Sequence, residues 1–99
     1  MRAIKKFVDA IDEEIESAKE YAEEYVEYKA KGDMQAANRY KEMANDELKH
    51  ANYEHEWAVK EIENVSKVYT APVEMQEAWN KAHKEYVEKV AWIKQMLAL

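Results

Sequence analysis

The residues of this sequence that could do chemistry are carboxylates and imidazoles spaced one helical turn apart. Glu47 and His50 are three residues apart, so on a helix both side chains lie on one face. At that spacing a carboxylate and an imidazole can bind one metal ion in the core of a helical bundle. Glu47 also falls at the centre of an apolar stripe. We therefore take Glu47 and His50 as candidate metal ligands.

Glu14 is the third candidate metal ligand. It interrupts a series of apolar and aromatic residues spaced three and four apart. That series runs Ile4, Phe7, Ile11, Glu14, Ala18, Tyr21, Tyr25 and Tyr28. Burying an unpaired carboxylate is costly, so such a group needs a cation, a hydrogen-bond donor or a metal. The alternative is a stripe shifted toward Ile15 and Ala22, which would leave Glu14 on the flank of the helix.

Four other side chains have a simpler interpretation. A tyrosine beside a metal, as Tyr21 would be, can hydrogen-bond a ligand, but a packed tyrosine is the commoner case. His55 and His83 fall on helix flanks, where a single histidine is more often packed than bound to metal. Glu54 follows Glu47 by one heptad and is either a further ligand or a carboxylate at the rim. No catalytic residue is assigned.

Long amphipathic helices are the elements that must position these residues. The chain has 99 residues with one glycine, Gly32, and one proline, Pro72. A β-rich fold needs many turns, which draw on Gly, Pro, Asn and Asp, whereas the abundant Ala, Glu and Lys favour helix. Gly32 fits the position just past a helix end, and Asp33 fits the N-cap of the next helix. Pro72 suits the first turn of a third helix.

We therefore predict an all-α protein with a single helical domain over residues 1–99. Its three long antiparallel helices are expected at about 3–31, 34–69 and 72–97, so that a helical hairpin is followed by a third helix. Helices this long need packed partners, and a monomer of this size buries little apolar surface. Two copies that pair their hairpins would form a four-helix core, so a homodimeric bundle is expected.

The second and third helices carry apolar stripes of their own. The stripe of the second helix is Tyr40, Met43, Ala44, Glu47, Ala51, Ala58, Ile62, Val65 and Tyr69. The stripe of the third helix is Met75, Trp79, Ala82, Tyr86, Val90, Ile93 and Leu97. Each repeats at steps of three and four, which is typical of one buried helix face.

Charge and composition restrict the possible functions. The net charge is −6, which argues against nucleic acid and against anionic membrane surfaces as partners. Cysteine is absent, so disulfides and thiolate metal sites are excluded. A single glycine rules out a glycine-rich phosphate loop. The sequence shows neither a signal-peptide core nor a membrane-length apolar run, so we expect a cytoplasmic location.

The combination of these residues resembles the ferritin-like superfamily. The match consists of Glu14, then Tyr21 seven residues later, then Glu47-x-x-His50 on the next helix. The stretch over residues 44–51 looks like that of small ferritin-like proteins of bacterial and phage origin. Their third helix bears Trp and His, as Trp79 and His83 do here. The resemblance covers the first two helices well and the third loosely.

The resemblance implies a di-metal centre that holds iron or manganese, with zinc less expected. Glu14 would be a terminal ligand, Glu47 a bridging carboxylate and His50 a terminal imidazole. Full-length members repeat this half-site on two further helices, whereas this chain has one copy. It is similar in that respect to half-length members, which complete the site across a two-fold dimer and can oxidise ferrous iron.

Two other interpretations stay open at this point. The chain could be a non-enzymatic helical interaction or structural module of the phage or prophage type. That interpretation rests on its aromatic-rich faces, which suit partner helices. These aromatic residues are Tyr25, Tyr28, Tyr53, Trp57 and Trp92. Alternatively, both stripes are simply core, and Glu14 pairs with His50.

Overall fold

The fold consists of three α-helices and confirms the all-α prediction. The computed structural model describes residues 2–68, 70 and 72–99, with side chains from Lys5 onward. The helices are α1 (Arg2–Ala30), α2 (Met34–Ser66) and α3 (Val73–Leu97). The described residues contain no strand. The predicted end of the second helix, Tyr69, lies outside the described residues, as does the side chain of Ile4.

The turn between α1 and α2 has the predicted chemistry. Gly32 has a φ of 80°, the left-handed conformation that ends a helix without steric cost. Its amide donates to the carbonyl of Lys29, and the amide of Asp33 donates to the carbonyl of Tyr28, which is a Schellman motif. The Asp33 carboxylate then accepts from the amide of Ala36 at 3.1 Å and caps α2. These bonds reverse the chain into an antiparallel hairpin.

The seam between α1 and α2 is built from small residues. Six alanines on the two helices are completely buried. They are Ala18, Ala22, Ala37, Ala44, Ala51 and Ala58. Because a methyl group is short, the two helix backbones can approach closely along the seam. Most helix–helix contact in the described residues lies here.

The buried stripe of α1 is the shifted alternative, not the one that contains Glu14. Its members are Ile11, Ile15, Ala18, Ala22 and Tyr25. One edge of that stripe is formed by residues spaced seven apart, namely Phe7, Glu14, Tyr21 and Tyr28. Glu14 is therefore on a flank of the helix and is only half-buried. On α2 the structure adds Leu48 to the predicted stripe, and Glu47 is half-buried beside it. Placing Glu14 and Glu47 at stripe centres was therefore wrong.

The third helix packs on α1 and barely approaches the backbone of α2. Its docking residues are Ile93 and Leu97, which are buried near its C-terminal end. Lys29 also donates to the carbonyl of Leu99 and ties that end to α1. The N-terminal half of α3 has no buried residue among those described. The molecule is elongated, with extents of 55 × 18 × 17 Å.

The hairpin has two sides, and α3 covers one of them. Asp12 and Lys19 of α1 lie toward α3. No other helix of the described residues covers the opposite side, which we call the open face. It consists of Glu14, Tyr21, Tyr28, Tyr40, Glu47, His50 and Glu54. None of the three helices, over the described residues, combines the length and apolarity that crossing a lipid bilayer requires.

Candidate carboxylate–histidine site

The open face brings the three predicted ligands into one electrostatic neighbourhood. Glu47 and His50 are one turn apart on α2, and Nδ1 of His50 lies 4.0 Å from Oε1 of Glu47. Glu14 of α1 faces them across the edge of the seam, close enough for both to perturb its pKa. Glu54, one heptad after Glu47, also acts on Glu14 and brings a third carboxylate to the group.

Glu14 is the most unusual residue of this neighbourhood. Its Oε2 atom is shielded from solvent and has no hydrogen-bond partner among the described residues. Burial raises the pKa of Glu14, and the negative charges of Glu54 and Glu47 raise it further, while His50 opposes them. The flank position thus leaves Glu14 partly buried, with one carboxylate oxygen that has no hydrogen-bond partner among the described residues. A carboxylate so placed is stabilised by a proton or by a bound cation.

His50 is accessible and paired with its own helix. Its side chain is 56% exposed, against 26% for Glu47. The nearest carboxylate to His50 is thus Glu47 of its own helix, and no hydrogen bond links Glu14 to His50 in the described residues. The structure therefore does not support the interpretation in which Glu14 pairs with His50 inside a core. The imidazole instead points to a surface from which a ligand or a second chain can reach it.

One copy of the chain holds half of a metal site at most. Within the described residues, no three carboxylate or imidazole side chains are placed to hold an ion together. The donor types still suit divalent metals, because carboxylate and imidazole are the ligands that iron, manganese and zinc accept. A complete site on the open face would therefore need rotated side chains and donors from a second copy.

The tyrosines of the open face form a packed cluster two turns from Glu14. The rings of Tyr28 and Tyr40 are stacked with centroids 5.5 Å apart. Tyr21 packs against the same ring of Tyr40 at 6.2 Å. Tyr21 therefore has the packing role that is commoner for a tyrosine on a helix stripe. This cluster holds α1 to α2 beside the carboxylates.

A second polar cluster, which the sequence did not reveal, lies on the α3 side of the hairpin. We call it the imidazole cluster, and it consists of His55, Trp79, His83 and Tyr86. The ring of His55 stacks on Tyr86 at 4.8 Å and lies 5.1 Å from that of His83. Trp79 packs against His55 at 6.0 Å.

His55 is a half-buried member of the imidazole cluster. Its Nε2 atom is shielded from solvent and has no hydrogen-bond partner among the described residues. Burial lowers the pKa of His55, and the nearby His83 lowers it further, whereas Glu56 opposes both. Sequence reasoning treated His55 and His83 as single packed histidines. The sequence could have revealed the imidazole cluster only if the flank of α2 that the third helix covers had been known.

Comparison with known proteins adds no family. No family model matches this chain, and no curated protein or solved structure matches it. The findings identify a small all-helical protein of three helices. The ferritin-like resemblance therefore rests on the residues themselves.

Proposed function

We propose that this chain is a ferritin-like metal-binding protein whose di-metal site is completed when two copies pair through the open face. The observation that carries the proposal is the Oε2 atom of Glu14, which is out of water and has no hydrogen-bond partner among the described residues. It lies on the uncovered side of the hairpin, next to Glu47 and His50. A divalent cation shared with a partner would neutralise this group and satisfy its oxygen.

The donor count supports a shared site. Each copy would contribute Glu14 from α1 and the Glu47–His50 pair from α2. Two copies would then supply four carboxylates and two imidazoles, the ligand set of di-iron and di-manganese carboxylate bundles. By the resemblance, Glu14 and His50 are terminal ligands and Glu47 bridges. Oxygen-rich donors favour iron or manganese, which supply redox chemistry when bound.

The geometry of the open face also supports pairing. It lies opposite α3, so a second hairpin can pack there without displacing the third helix. Its tyrosines are half-buried and offer apolar area between the carboxylates and the turn of the hairpin. The third helix would then flank a four-helix core.

Metal analysis and a matched set of variants test this proposal. Protein purified without a metal-affinity tag and supplied with ferrous iron or manganese should hold about two ions per dimer. Its melting temperature should rise with metal. Glu14→Gln and His50→Gln should abolish that rise, because each removes one ligand while keeping a similar shape. Glu20→Gln, an exposed position on α1, should keep it. Less than a tenth of an equivalent of metal per dimer would overturn the proposal.

A second candidate function is a non-enzymatic interaction module. The observation that favours it is a pair of exposed aromatic residues one turn apart on α2, Tyr53 at 60% and Trp57 at 67% exposure. Trp92 on α3 is 59% exposed as well. Large exposed aromatic side chains of this kind are enriched in protein interfaces. A dimer that survives Glu14→Gln without metal but is lost in Trp57→Ser would favour the module.

A further inference from the structure

The imidazole cluster is a place where side chains of α2 and α3 meet. The backbone of α3 barely approaches that of α2, and its buried residues lie near the other end of the helix. His55 projects from α2 to rings of α3, where it stacks on Tyr86 and lies beside the tilted ring of His83. A contact made here therefore adds to what holds the N-terminal half of α3 on the hairpin.

The spacing of the two imidazoles matches that of two ligands on one metal ion. Zinc binds imidazole nitrogen at about 2.0–2.1 Å with tetrahedral angles, which places two ligand ring centroids about 5 Å apart. The centroids of His55 and His83 are 5.1 Å apart, and their planes are inclined by 33°. The tilt differs from the flat stacking of His55 on Tyr86, whose planes are inclined by 7°. Small ring rotations would bring one nitrogen of each imidazole to a common point.

The space beside the two rings has the size of a single ion. A cavity of about 10 Å³ is lined by His55, His83, Asp12 and Trp79, among others. That volume is at the lower limit for one water molecule, so it admits an ion or a water but no organic ligand. The unpartnered Nε2 atom belongs to His55, one of the residues in this wall. Asp12 adds a carboxylate to the same wall.

We propose that His55 and His83 bind one zinc-class transition-metal ion that clamps α3 to α2. The described residues hold no third donor in position. The remaining coordination sites of the ion would face the solvent beside the exposed His83 and be filled by water. Imidazole ligands select zinc, nickel or copper, whereas the carboxylate-rich open face suits manganese and iron. This site lies on the opposite side of the hairpin from Glu14, and it does not depend on the proposed function.

The placement of the two imidazoles suits metal binding. Metal binds an unprotonated imidazole nitrogen, and the shielded Nε2 of His55 has no hydrogen-bond partner among the described residues that would compete for it. His83 is exposed, so an ion can reach the pair from solvent. Because binding joins two elements that otherwise have little contact, the ion would stabilise the docked position of α3 over a detached one.

The test uses the full chain in a background that lacks the other candidate ligands. In Glu14→Gln/His50→Gln protein, titration with zinc chloride should show about one ion bound per chain and a raised melting temperature. Adding His83→Gln should weaken zinc binding by at least about tenfold, because one of two imidazole ligands is lost. Since His83 is exposed, this variant should fold normally. His55→Gln should have the same effect on binding.

Hydrogen exchange supplies a readout that metal bound elsewhere would not give. Zinc should slow amide exchange in the N-terminal half of α3, and His83→Gln should remove that protection. Asn80→Gln, one turn before His83 on an exposed position, serves as the control and should change neither result. Equal zinc affinity with and without His83, or zinc binding that leaves exchange in α3 unchanged, would overturn the proposal.

Discussion

The α1–α2 seam and the docking of α3 solve the same packing problem in different ways. The hairpin seam runs along both helices and is lined by alanines, which bury little area each but let the backbones lie close. The third helix is held chiefly at one end, by the two large side chains of Ile93 and Leu97. The α1–α2 seam is continuous and cannot accommodate larger side chains, whereas the α1–α3 interface concentrates its apolar contact in a few residues.

This difference teaches where each interface is vulnerable. A seam of small residues is broken by adding atoms, because close backbones leave no room for a longer side chain. An interface held by a few large residues is broken by removing atoms, because each of them carries much of the buried area. The two polar clusters differ in a similar way. The carboxylate–histidine site lies at the edge of the continuous seam, whereas the imidazole cluster lies along the N-terminal half of α3, which has no buried residue among those described.

The largest effect is expected from truncating the docking residue of α3. Ile93 is 1% exposed and packs in the same buried cluster as Ile15 of α1. Ile93→Ala should lower the free energy of unfolding by about 2–5 kcal/mol, through lost transfer energy and the cavity left behind. Urea denaturation measures the loss. Amide exchange should quicken in α3 before it quickens in α1 and α2.

The control for this prediction is Val87→Ala on the same helix. Val87 is exposed, so its truncation should change the free energy of unfolding by less than about 0.5 kcal/mol. If Ile93→Ala instead accelerated exchange equally in all three helices, α3 would be an integral part of one cooperative unit. The contrast between the two interfaces would then be structural but not energetic.

A smaller effect is expected from adding volume to the hairpin seam. Ala44 is completely buried in the seam between α1 and α2. Ala44→Leu should destabilise the protein by about 1–3 kcal/mol, because overpacking forces the backbones apart or the side chain off its rotamer. Thermal unfolding monitored by circular dichroism measures it. Ala91→Leu, at an exposed position of α3, should change stability little.

The two interfaces also differ in how far the sequence could predict them. The hairpin followed from local signals, because Gly32 and Asp33 punctuate the chain and have the backbone roles expected of them. The stripe of α1 was misplaced by one step, since Phe7, Tyr21 and Tyr28 are large and apolar and resemble core residues. These three residues lie instead along the edge of the buried stripe that borders the open face, and their rings are half-buried.

Contacts between side chains of different helices could not be predicted from the sequence. His55 and His83 are on different helices, and each looks like a single histidine until the side of α2 that α3 covers is known. Glu14 was identified by its chemical oddity, and its unpartnered oxygen agrees with that reasoning although its place on the stripe does not. Periodicity locates a face, but only the packing of a third element decides which flank of that face is closed.

The smallest effect is expected from removing the cap of α2. The carboxylate of Asp33 accepts from the amide of Ala36, so Asp33→Ala leaves a helix N-terminus without that bond and should cost about 1 kcal/mol. Asp33→Asn keeps an acceptor at the cap and should retain most of the stability. Urea denaturation of the three proteins checks the order.

Hydrogen exchange of the Asp33→Ala variant also tests whether the α1–α2 seam and the docking of α3 are independent. The cap belongs to the turn that closes the hairpin, so Asp33→Ala should quicken exchange in the first turns of α2. It should leave α3 unaffected if its attachment through Ile93 and Leu97 is independent of the seam. A matching rise in α3 exchange would mean that loosening the seam also releases the third helix. The alanine seam would then support the docking surface that α1 offers to α3, and the two interfaces would form one structure.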